Sequence, residues 1–249
     1  MPRLTGRKVL LTRSAEDSAD WARALAAEGA LPIVLPCIAT EPCGGPDLGQ
    51  RIAAALDGAD WVVLTSRRGV DALADLIGSK LPAPVRLAAV GETTAGRLCE
   101  RFGRAADRTG SGTARALAGV LAAAASQGER YVLVLAENAG DVLERTLGEA
   151  GARATRFDVY RTVPAGNGSP KQSLSTLGAD TIVFASPSAV TGFGHQIDVD
   201  IEPQIVTIGP STSAAVRAHD WAVAAEAKMP QLSSVIDAIL EATHVRTQA

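Results

Sequence analysis

The chain has 249 residues, of which 47% are hydrophobic and 20% are charged, and its formal net charge is −3. This balance is typical of globular proteins, and it argues against nucleic-acid binding that depends on bulk positive charge. Cys37, Cys43 and Cys99 fit neither a disulfide framework nor a metal site, and no apolar run is long enough to cross a membrane, so we expect a cytoplasmic protein.

Strands and helices alternate along the first half of the chain. A short apolar run at 9–12 predicts a buried strand, and Ser14 or Asp17 can cap the helix that follows and ends at Gly29. Residues 32–38 are expected to form the next strand, at a sheet edge or in a connector because the run contains prolines. Further strands are predicted at 61–65 and 85–90, and further helices at 48–56, 70–77, 93–102 and 113–124. This alternation predicts doubly wound parallel sheets of the α/β class.

The second half of the chain repeats the first. Residues 58–70 align without a gap with residues 178–190, and residues 9–25 align with residues 131–147. A repeat of this length is too long for a solenoid unit and indicates a duplicated half-protein. The sequence therefore predicts two similar α/β domains, and a cleft between them is a natural ligand site.

A segment rich in proline and glycine follows each of two equivalent strands. One such break spans 41–46, and the other spans 163–170 after a strand at 155–160. Because both breaks fall at the same place in the repeat, the chain is expected to leave one domain and return to it. On this interpretation 1–38 and 165–249 form a discontinuous domain, and 39–164 form the domain inserted into it.

Hydroxyl side chains follow predicted strands at equivalent positions of the two repeats. Ser66 comes after the strand at 61–65, Ser186 comes after its counterpart, and each precedes a helix. Ligands of α/β sheets bind at the carboxyl ends of strands, and helix N-termini favour anions. The serines either bind an anionic ligand or only cap the helices, and their recurrence in both repeats weighs towards a ligand.

The next strand of each repeat ends in glycine, and a hydroxyl follows at the start of a helix. Gly91 precedes Thr94 in the first repeat, and Gly209 precedes Thr212 in the second. Pro210 suits the first helical position, because its missing N–H has no helical partner there. These segments likewise either cap a helix or present donors to an anion.

Two further residues carry side chains suited to a site. Arg13 directly follows the first strand, where it either points towards a ligand or lies in solvent. Tyr160, one of two tyrosines, lies at the end of a connecting strand, where it either packs with a satisfied hydroxyl or serves a ligand. The sequence contains no hydrolase nucleophile elbow.

Taken together, these segments resemble the uroporphyrinogen-III synthase family over almost the whole chain. The motifs that carry the resemblance are Val9-Leu10-Leu11-Thr12-Arg13, Leu64-Thr65-Ser66, Val159-Tyr160-Arg161, Phe184-Ala185-Ser186-Pro187-Ser188 and Ile208-Gly209-Pro210-Ser211-Thr212. The resemblance implies two α/β domains joined by a two-stranded connector, with the active site in the cleft.

The resemblance also implies a cofactor-free lyase of porphyrin and heme biosynthesis. Its substrate would be hydroxymethylbilane, a linear tetrapyrrole, which is cyclised with loss of water and inversion of the last pyrrole ring. Tyr160 is then the candidate proton donor to the leaving hydroxyl. The candidate substrate-binding residues are Arg13, Ser66, Thr94, Ser186, Ser188, Gly209 and Thr212. Nothing in the sequence requires an oligomer, so we expect a monomer.

One segment departs from the family pattern. Where the family often has Arg-Gly after a strand of the second repeat, this chain has Ala136-Glu137-Asn138. A positive group is missing there and an acid is present, so the site is expected to bind substrate more weakly or to be specialised. The alternative hypothesis is a two-domain small-molecule binding or sensor protein of the same fold, without full catalytic activity.

Overall fold

The computed structural model describes residues 2–82, 84–166, 168 and 170–247. The chain divides into two compact units. Unit 1 comprises Met1–Ala39 and Val163–Ala249, and unit 2 comprises Thr40–Thr162. Unit 1 is thus built from two separate stretches of chain, and unit 2 from one.

The helices and strands alternate throughout. Up to residue 149 they are β1 (Lys8–Leu11), α1 (Ala15–Ala27), β2 (Leu31–Val34), β3 (Ile38–Pro42), α2 (Leu48–Leu56), β4 (Trp61–Leu64), α3 (Arg67–Ile77), β5 (Arg86–Ala89), α4 (Glu92–Phe102), β6 (Arg108–Thr109), α5 (Ala114–Ala122), β7 (Arg130–Ala136) and α6 (Val142–Glu149). The remaining elements are β8 (Arg153–Pro164), β9 (Gln172–Ser173), α7 (Leu174–Leu177), β10 (Thr181–Phe184), α8 (Pro187–Gln196), β11 (Ile197–Asp198), β12 (Gln204–Thr207), α9 (Pro210–Arg217), β13 (Ala225–Glu226) and α10 (Leu232–Thr247).

Each unit contains one main sheet. The strand order is β13-β12-β10-β1-β2 in unit 1, where every neighbouring pair is parallel. The other main sheet has the order β3-β8-β7-β4-β5-β6, and its strands from β8 to β6 are also parallel. The predicted α/β class with doubly wound parallel sheets is confirmed.

The duplication in the sequence explains why the five strands of the sheet in unit 1 have the same order as the strands from β6 to β8 in the other sheet. By the sequence alignment, β1 corresponds to β7 and β10 corresponds to β4. Each sheet therefore joins the first strand–helix–strand of one repeat to the later strands of the other. In both sheets the chain winds outwards in opposite directions from this junction, between β1 and β10 or between β7 and β4. Such switch points are where open α/β sheets bind ligands.

Helices cover both faces of the sheets, so the central strands β4 and β10 are buried at every position. In unit 2, Val62 shares one buried cluster with Leu98 of α4, whereas Val63 shares a second cluster with Leu117 of α5. Unit 1 has two such clusters as well, one of which contains the ring of Phe193. No helix in the described part of the chain is long and apolar enough to span a membrane.

The prediction of a single strand at 32–38 is wrong in its extent. The structure has two strands there, because β2 ends at Val34 and β3 begins at Ile38. Pro36 lies between them and has no N–H to donate to a sheet ladder. β2 is the edge of the sheet in unit 1, as the prolines of the run at 32–38 predicted, whereas β3 lies beside β8 in the other sheet. The short strands β6, β9, β11 and β13 were not predicted, because two residues carry no periodic signal.

Candidate functional site

The carboxyl end of β4 is shaped by Ser66. This residue has an extended backbone, with φ −160°, and it is the N-cap of α3. Its Oγ accepts a hydrogen bond of 2.9 Å from the backbone N–H of Gly69. The capping interpretation of Ser66 is therefore confirmed, and it leaves the second acceptor position and the hydroxyl proton for other partners.

Tyr160 supplies one of those partners. Its phenol donates to Ser66 Oγ at 2.9 Å, although the two residues are 94 positions apart in the chain. The contact arises because β8, β7 and β4 are neighbours in that order, and Ala136 of β7 is the register partner of Tyr160. The tyrosine is 9% exposed and belongs to a buried apolar cluster. Two residues predicted independently as site residues thus form one hydrogen-bonded pair.

A cavity of about 470 Å³ lies beside Tyr160. Tyr160 and Val159 of β8 form part of its wall, together with Cys43 and with Arg68 and Asp71 of α3. Its volume falls within the range of small-molecule pockets, which is about 300–1,000 Å³. The structure therefore places a ligand-sized cavity next to the phenol that the sequence predicted as a proton donor.

The polar groups of the cavity wall are largely engaged. Asp71 pairs with Arg97 at 2.8 Å, and Asp75 pairs with Arg101. The thiol of Cys43 donates to the carbonyl oxygen of Asp158 at 3.3 Å. Burial raises the pKa of this thiol, and the nearby carboxylates raise it further. It stays protonated at neutral pH and is a poor nucleophile.

The next strand end in unit 2 is built from backbone and small residues. Gly91 is the N-cap of α4 and, as a glycine, has no side chain with which to cap the helix. The loop after β6 closes on it, because the N–H of Gly112 donates to the carbonyl oxygen of Val90 at 2.8 Å. Thr94 is 2% exposed, so its side chain is packed inside the unit.

The equivalent edge of unit 1 carries the other candidates. Ser186 is the N-cap of α8, and its Oγ accepts from the N–H of Ala189 at 3.2 Å. Ser188 lies in the first turn of the same helix. Gly209 is the N-cap of α9, and Thr212 in the first turn of that helix is buried, as its counterpart Thr94 is in unit 2.

Arg13 also lies at this edge, directly after β1. Its guanidinium carbon is 4.4 Å from the centre of the Trp21 ring on α1, a distance typical of a cation–π contact. Because β1, β10 and β12 are neighbours, the structure brings Arg13, Ser186 and Gly209 to the same edge of one sheet. The contact with Trp21 restrains the arginine there.

The sequence reasoning missed Arg156 of β8. Its guanidinium donates to the carbonyl oxygens of Ala136 and Glu137 at 3.0 and 3.1 Å, which belong to the segment that departs from the family pattern. It also pairs with Asp158 at 2.7 Å and with Glu144 at 2.9 Å. The only sequence signal was an alternation of Arg156 and Asp158 on one strand. A positive group is thus present at this edge, but two carboxylates bind it.

Among the described residues, no group of three or more histidine, cysteine, aspartate or glutamate side chains is placed to hold a metal ion. The candidate groups in unit 2 are hydroxyls, a phenol and helix N-termini, and those in unit 1 are hydroxyls, an arginine and helix N-termini. These groups can orient an anionic ligand and transfer a proton.

The duplicated parallel sheets and their polar strand ends define a two-unit α/β protein whose strand ends are of the kind at which α/β sheets bind ligands. The chain belongs to the uroporphyrinogen-III synthase family, because the model of that family, described as uroporphyrinogen-III synthase HemD, matches residues 19–237. The fold and the family expected from the sequence motifs are both confirmed.

Two curated relatives are similar to most of the chain. The porphyrin biosynthesis protein HemD of Ruminiclostridium josui is 28% identical over 248 residues, which is 96% of this chain and 49% of that protein. The chain thus spans about half the length of this relative. A putative uroporphyrinogen-III synthase of Methanocaldococcus jannaschii is 26% identical and aligns with 84% of this chain and 88% of its own.

Two solved structures share the fold. Uroporphyrinogen-III synthetase from Helicobacter pylori superposes with a TM-score of 0.57 at 15% identity, covering 94% of this chain and 98% of that one. A mutant uroporphyrinogen III synthase from the extremely thermophilic bacterium Thermus thermophilus gives a TM-score of 0.55 at 20% identity, covering 96% of this chain and all of the other.

Proposed function

We propose that this protein cyclises hydroxymethylbilane to uroporphyrinogen III, with loss of water and inversion of the last pyrrole ring. The observation that carries the proposal is the phenol of Tyr160, held 2.9 Å from Ser66 Oγ beside a cavity of about 470 Å³. Membership of the family supports the substrate and the reaction. The protein is then a cofactor-free lyase that acts as a cytoplasmic monomer, without nucleic-acid or membrane partners.

The chemistry depends mainly on orientation. Unassisted closure of the linear tetrapyrrole gives the uninverted isomer, so the enzyme must hold the two terminal rings in the geometry that leads to inversion. The terminal hydroxyl leaves as water, which creates an electrophilic methylene carbon. The last ring attacks through its substituted carbon to give a spiro intermediate, which then fragments and recloses with that ring turned over.

Tyr160 is proposed to supply the proton for the leaving hydroxyl. A phenol is protonated at neutral pH and can act as a general acid, a contribution of about 10²–10⁴-fold. The ring is buried in an apolar cluster with its hydroxyl at the strand-end edge. This placement excludes water from most of the ring while keeping the acidic group at the site.

The acidic side chains of the substrate are proposed to bind at helix N-termini. The first turns of α3, α4, α8 and α9 follow strand ends, and free backbone N–H groups with the positive end of the helix dipole favour carboxylates there. The residues proposed to form these sites are Arg13, Ser66, Thr94, Ser186, Ser188, Gly209 and Thr212. Thr94 and Thr212 are buried, and their N–H groups donate to the carbonyl oxygens of Gly91 and Gly209 at 3.1 Å, so they are proposed to shape the first helical turns and not to contact the substrate directly.

A direct assay tests this proposal. The protein is incubated with enzymatically generated hydroxymethylbilane, and the products are oxidised and separated into the two uroporphyrin isomers. The inverted isomer should accumulate well above the level of a sample without protein. If only the uninverted isomer forms, the protein is a binding or sensor protein of the same fold and the proposed activity is wrong.

A further inference from the structure

The two repeats contain equivalent serines that differ in one contact. Ser66 and Ser186 both cap a helix, with cap bonds of 2.9 and 3.2 Å. Only Ser66 also accepts a bond from a phenol, that of Tyr160 at 2.9 Å. In the first repeat the residue that aligns with Tyr160 is Ile38, which has no hydroxyl. One serine of the pair therefore has a partner that helix capping does not require.

We propose that Ser66 is the positioning residue for Tyr160, rather than only a ligand for the substrate. It fixes the phenol oxygen before the reaction and donates to the phenolate oxygen after the proton has left. The inference rests on the proposed function, in which Tyr160 is the acid. It assigns Ser66 a role in turnover that a helix cap alone does not have.

The donor and acceptor capacities of the hydroxyl allow both steps. A serine hydroxyl has one proton and two acceptor positions, and here Gly69 N–H and Tyr160 O–H occupy the two acceptor positions. Its own proton is therefore not needed for either bond. When the phenol proton turns to the substrate, the Ser66 hydroxyl rotates and donates across the same oxygen–oxygen distance, while Gly69 keeps Oγ in place.

The proton that Tyr160 donates in this step is replaced. The O–H bond of Tyr160 breaks, its proton joins the leaving hydroxyl, the carbon–oxygen bond breaks and water departs. The phenolate then recovers the proton that the last ring releases when the macrocycle closes. Because a hydrogen bond to a charged oxygen is stronger than one to a neutral oxygen, Ser66 stabilises the state after proton transfer more than the state before it.

The surroundings keep the pair fixed. A Cβ at Gly69 would lie 3.2 Å from Ser66 Oγ, so the capping turn packs closely around the hydroxyl. The tyrosine is held from its backbone as well, because its carbonyl oxygen accepts the N–H of Glu137 at 2.8 Å. With both partners held, the phenol oxygen has little freedom to leave Ser66.

The test separates positioning from binding and from capping. Ser66→Ala removes the cap and the phenol contact, and Thr113→Ala is the matched control. Thr113 caps α5 in the same unit through a 3.2 Å bond to the N–H of Ala116, and it has no part in the proposed site. Ser66→Thr keeps the hydroxyl. For each variant, kcat and KM are measured by the isomer assay.

We expect Ser66→Ala to lower kcat about tenfold, because the lost interaction acts on the phenolate. KM should change little, because the backbone N–H groups beside Ser66 remain to hold the substrate carboxylate. Ser66→Thr should recover most of kcat, and Thr113→Ala should match the wild type. Adding Ser66→Ala to Tyr160→Phe should cost little more than Tyr160→Phe alone, since the two residues act as one unit.

The results that would contradict the inference differ from those that would contradict the proposed function. The positioning role of Ser66 is wrong if Tyr160→Phe slows turnover but Ser66→Ala does not, or if Ser66→Ala changes only KM. The proposed role of Tyr160 as the proton donor is unaffected by either result. If Tyr160→Phe leaves kcat unchanged, the acid role is wrong and the inference falls with it. NMR of ¹³C-labelled tyrosine gives a readout without turnover, because the chain has only Tyr131 and Tyr160. Ser66→Ala must shift the Tyr160 signal, and an unmoved signal overturns the inference.

Discussion

Arg156 donates from its guanidinium to the carbonyl oxygen of Ala136 at 3.0 Å, so β8 binds the end of the neighbouring strand β7 through a side chain. The same guanidinium reaches the carbonyl of Glu137 and the carboxylates of Glu144 and Asp158. An arginine has donors in a planar fork and can bind several acceptors at once, which a lysine ammonium cannot do in the same geometry. The loop after β7 is therefore held by a residue of β8.

Replacing Arg156 with Lys should destabilise the protein, although the positive charge is kept. The lost bonds include charge-assisted ones, so we expect a loss of about 1–3 kcal/mol in the free energy of unfolding. Urea unfolding measures this loss. Arg161→Lys is the matched control, because Arg161 pairs with Glu41 at 3.0 Å where both side chains are about half exposed. The control should change stability by less than about 1 kcal/mol. Equal losses in the two variants would contradict the role of Arg156.

A second network lies at the amino ends of the strands in unit 2 and predicts acid sensitivity. The carboxylate of Glu129 accepts from the Tyr131 hydroxyl at 2.8 Å, from the Trp61 indole at 3.1 Å and from Arg86. Burial raises the pKa of Glu129, but these bonds and one from the N–H of Ser126 together outweigh it. The pKa of the carboxyl is therefore lower than its ordinary value.

Glu129→Gln should lower stability at neutral pH by about 1–3 kcal/mol, because an amide cannot accept from all these donors. Since the folded pKa is below the unfolded value of about 4.3, the contribution is complete above that value and is lost as pH falls through the folded pKa. The difference between wild type and variant should thus shrink below about pH 4. Urea unfolding across pH 3–7 checks this, and a difference that stays constant with pH would contradict it.

The sequence predicted helices accurately where apolar residues recur at the helical period. α2 spans the predicted 48–56, because Leu48, Ile52 and Leu56 recur every four residues and all become buried. The strand at 32–38 failed because an apolar run does not show where a chain leaves one sheet for another. Pro36 marks that point, but its effect depends on the partner strand that is available on each side.

The site was predicted residue by residue but not as an arrangement. Strand-end position was enough to select Ser66, since ligand sites of α/β folds lie there. The strand end expected at Tyr160 is wrong, because β8 continues to Pro164, but Tyr160 still lies at the sheet edge because its register partner Ala136 ends β7. Their contact depends on β8, β7 and β4 being neighbours, and that order is set by pairing between distant parts of the chain. Arg156 was missed for the same reason, because its acceptors lie on another strand and in the loop that follows.

Tyr160→Phe should lower turnover clearly and leave folding almost intact. The ring keeps its packing and only the hydroxyl is lost, so stability should fall by roughly 0.5–1.5 kcal/mol. A lost acid lowers kcat, whereas lost binding alone raises KM. Isomer analysis with steady-state kinetics measures both, and thermal unfolding confirms the fold. Wild-type turnover with an unchanged isomer ratio would exclude the acid role, and water or the substrate itself would then assist departure of the hydroxyl.

The last prediction concerns folding of the two units. A fragment of residues 39–164 should unfold cooperatively in urea, because it contains the sheet from β3 to β6, except for the first residue of β3, and both of its buried clusters. A fragment of residues 1–125 has nearly the same length and one complete sequence repeat, yet it should fail. It separates β1 and β2 from β10, and it leaves β4 without β7, its partner at the switch point. Circular dichroism and urea titration compare the two. If 1–125 folds cooperatively and 39–164 does not, the sequence repeat and not the inserted segment is the folding unit.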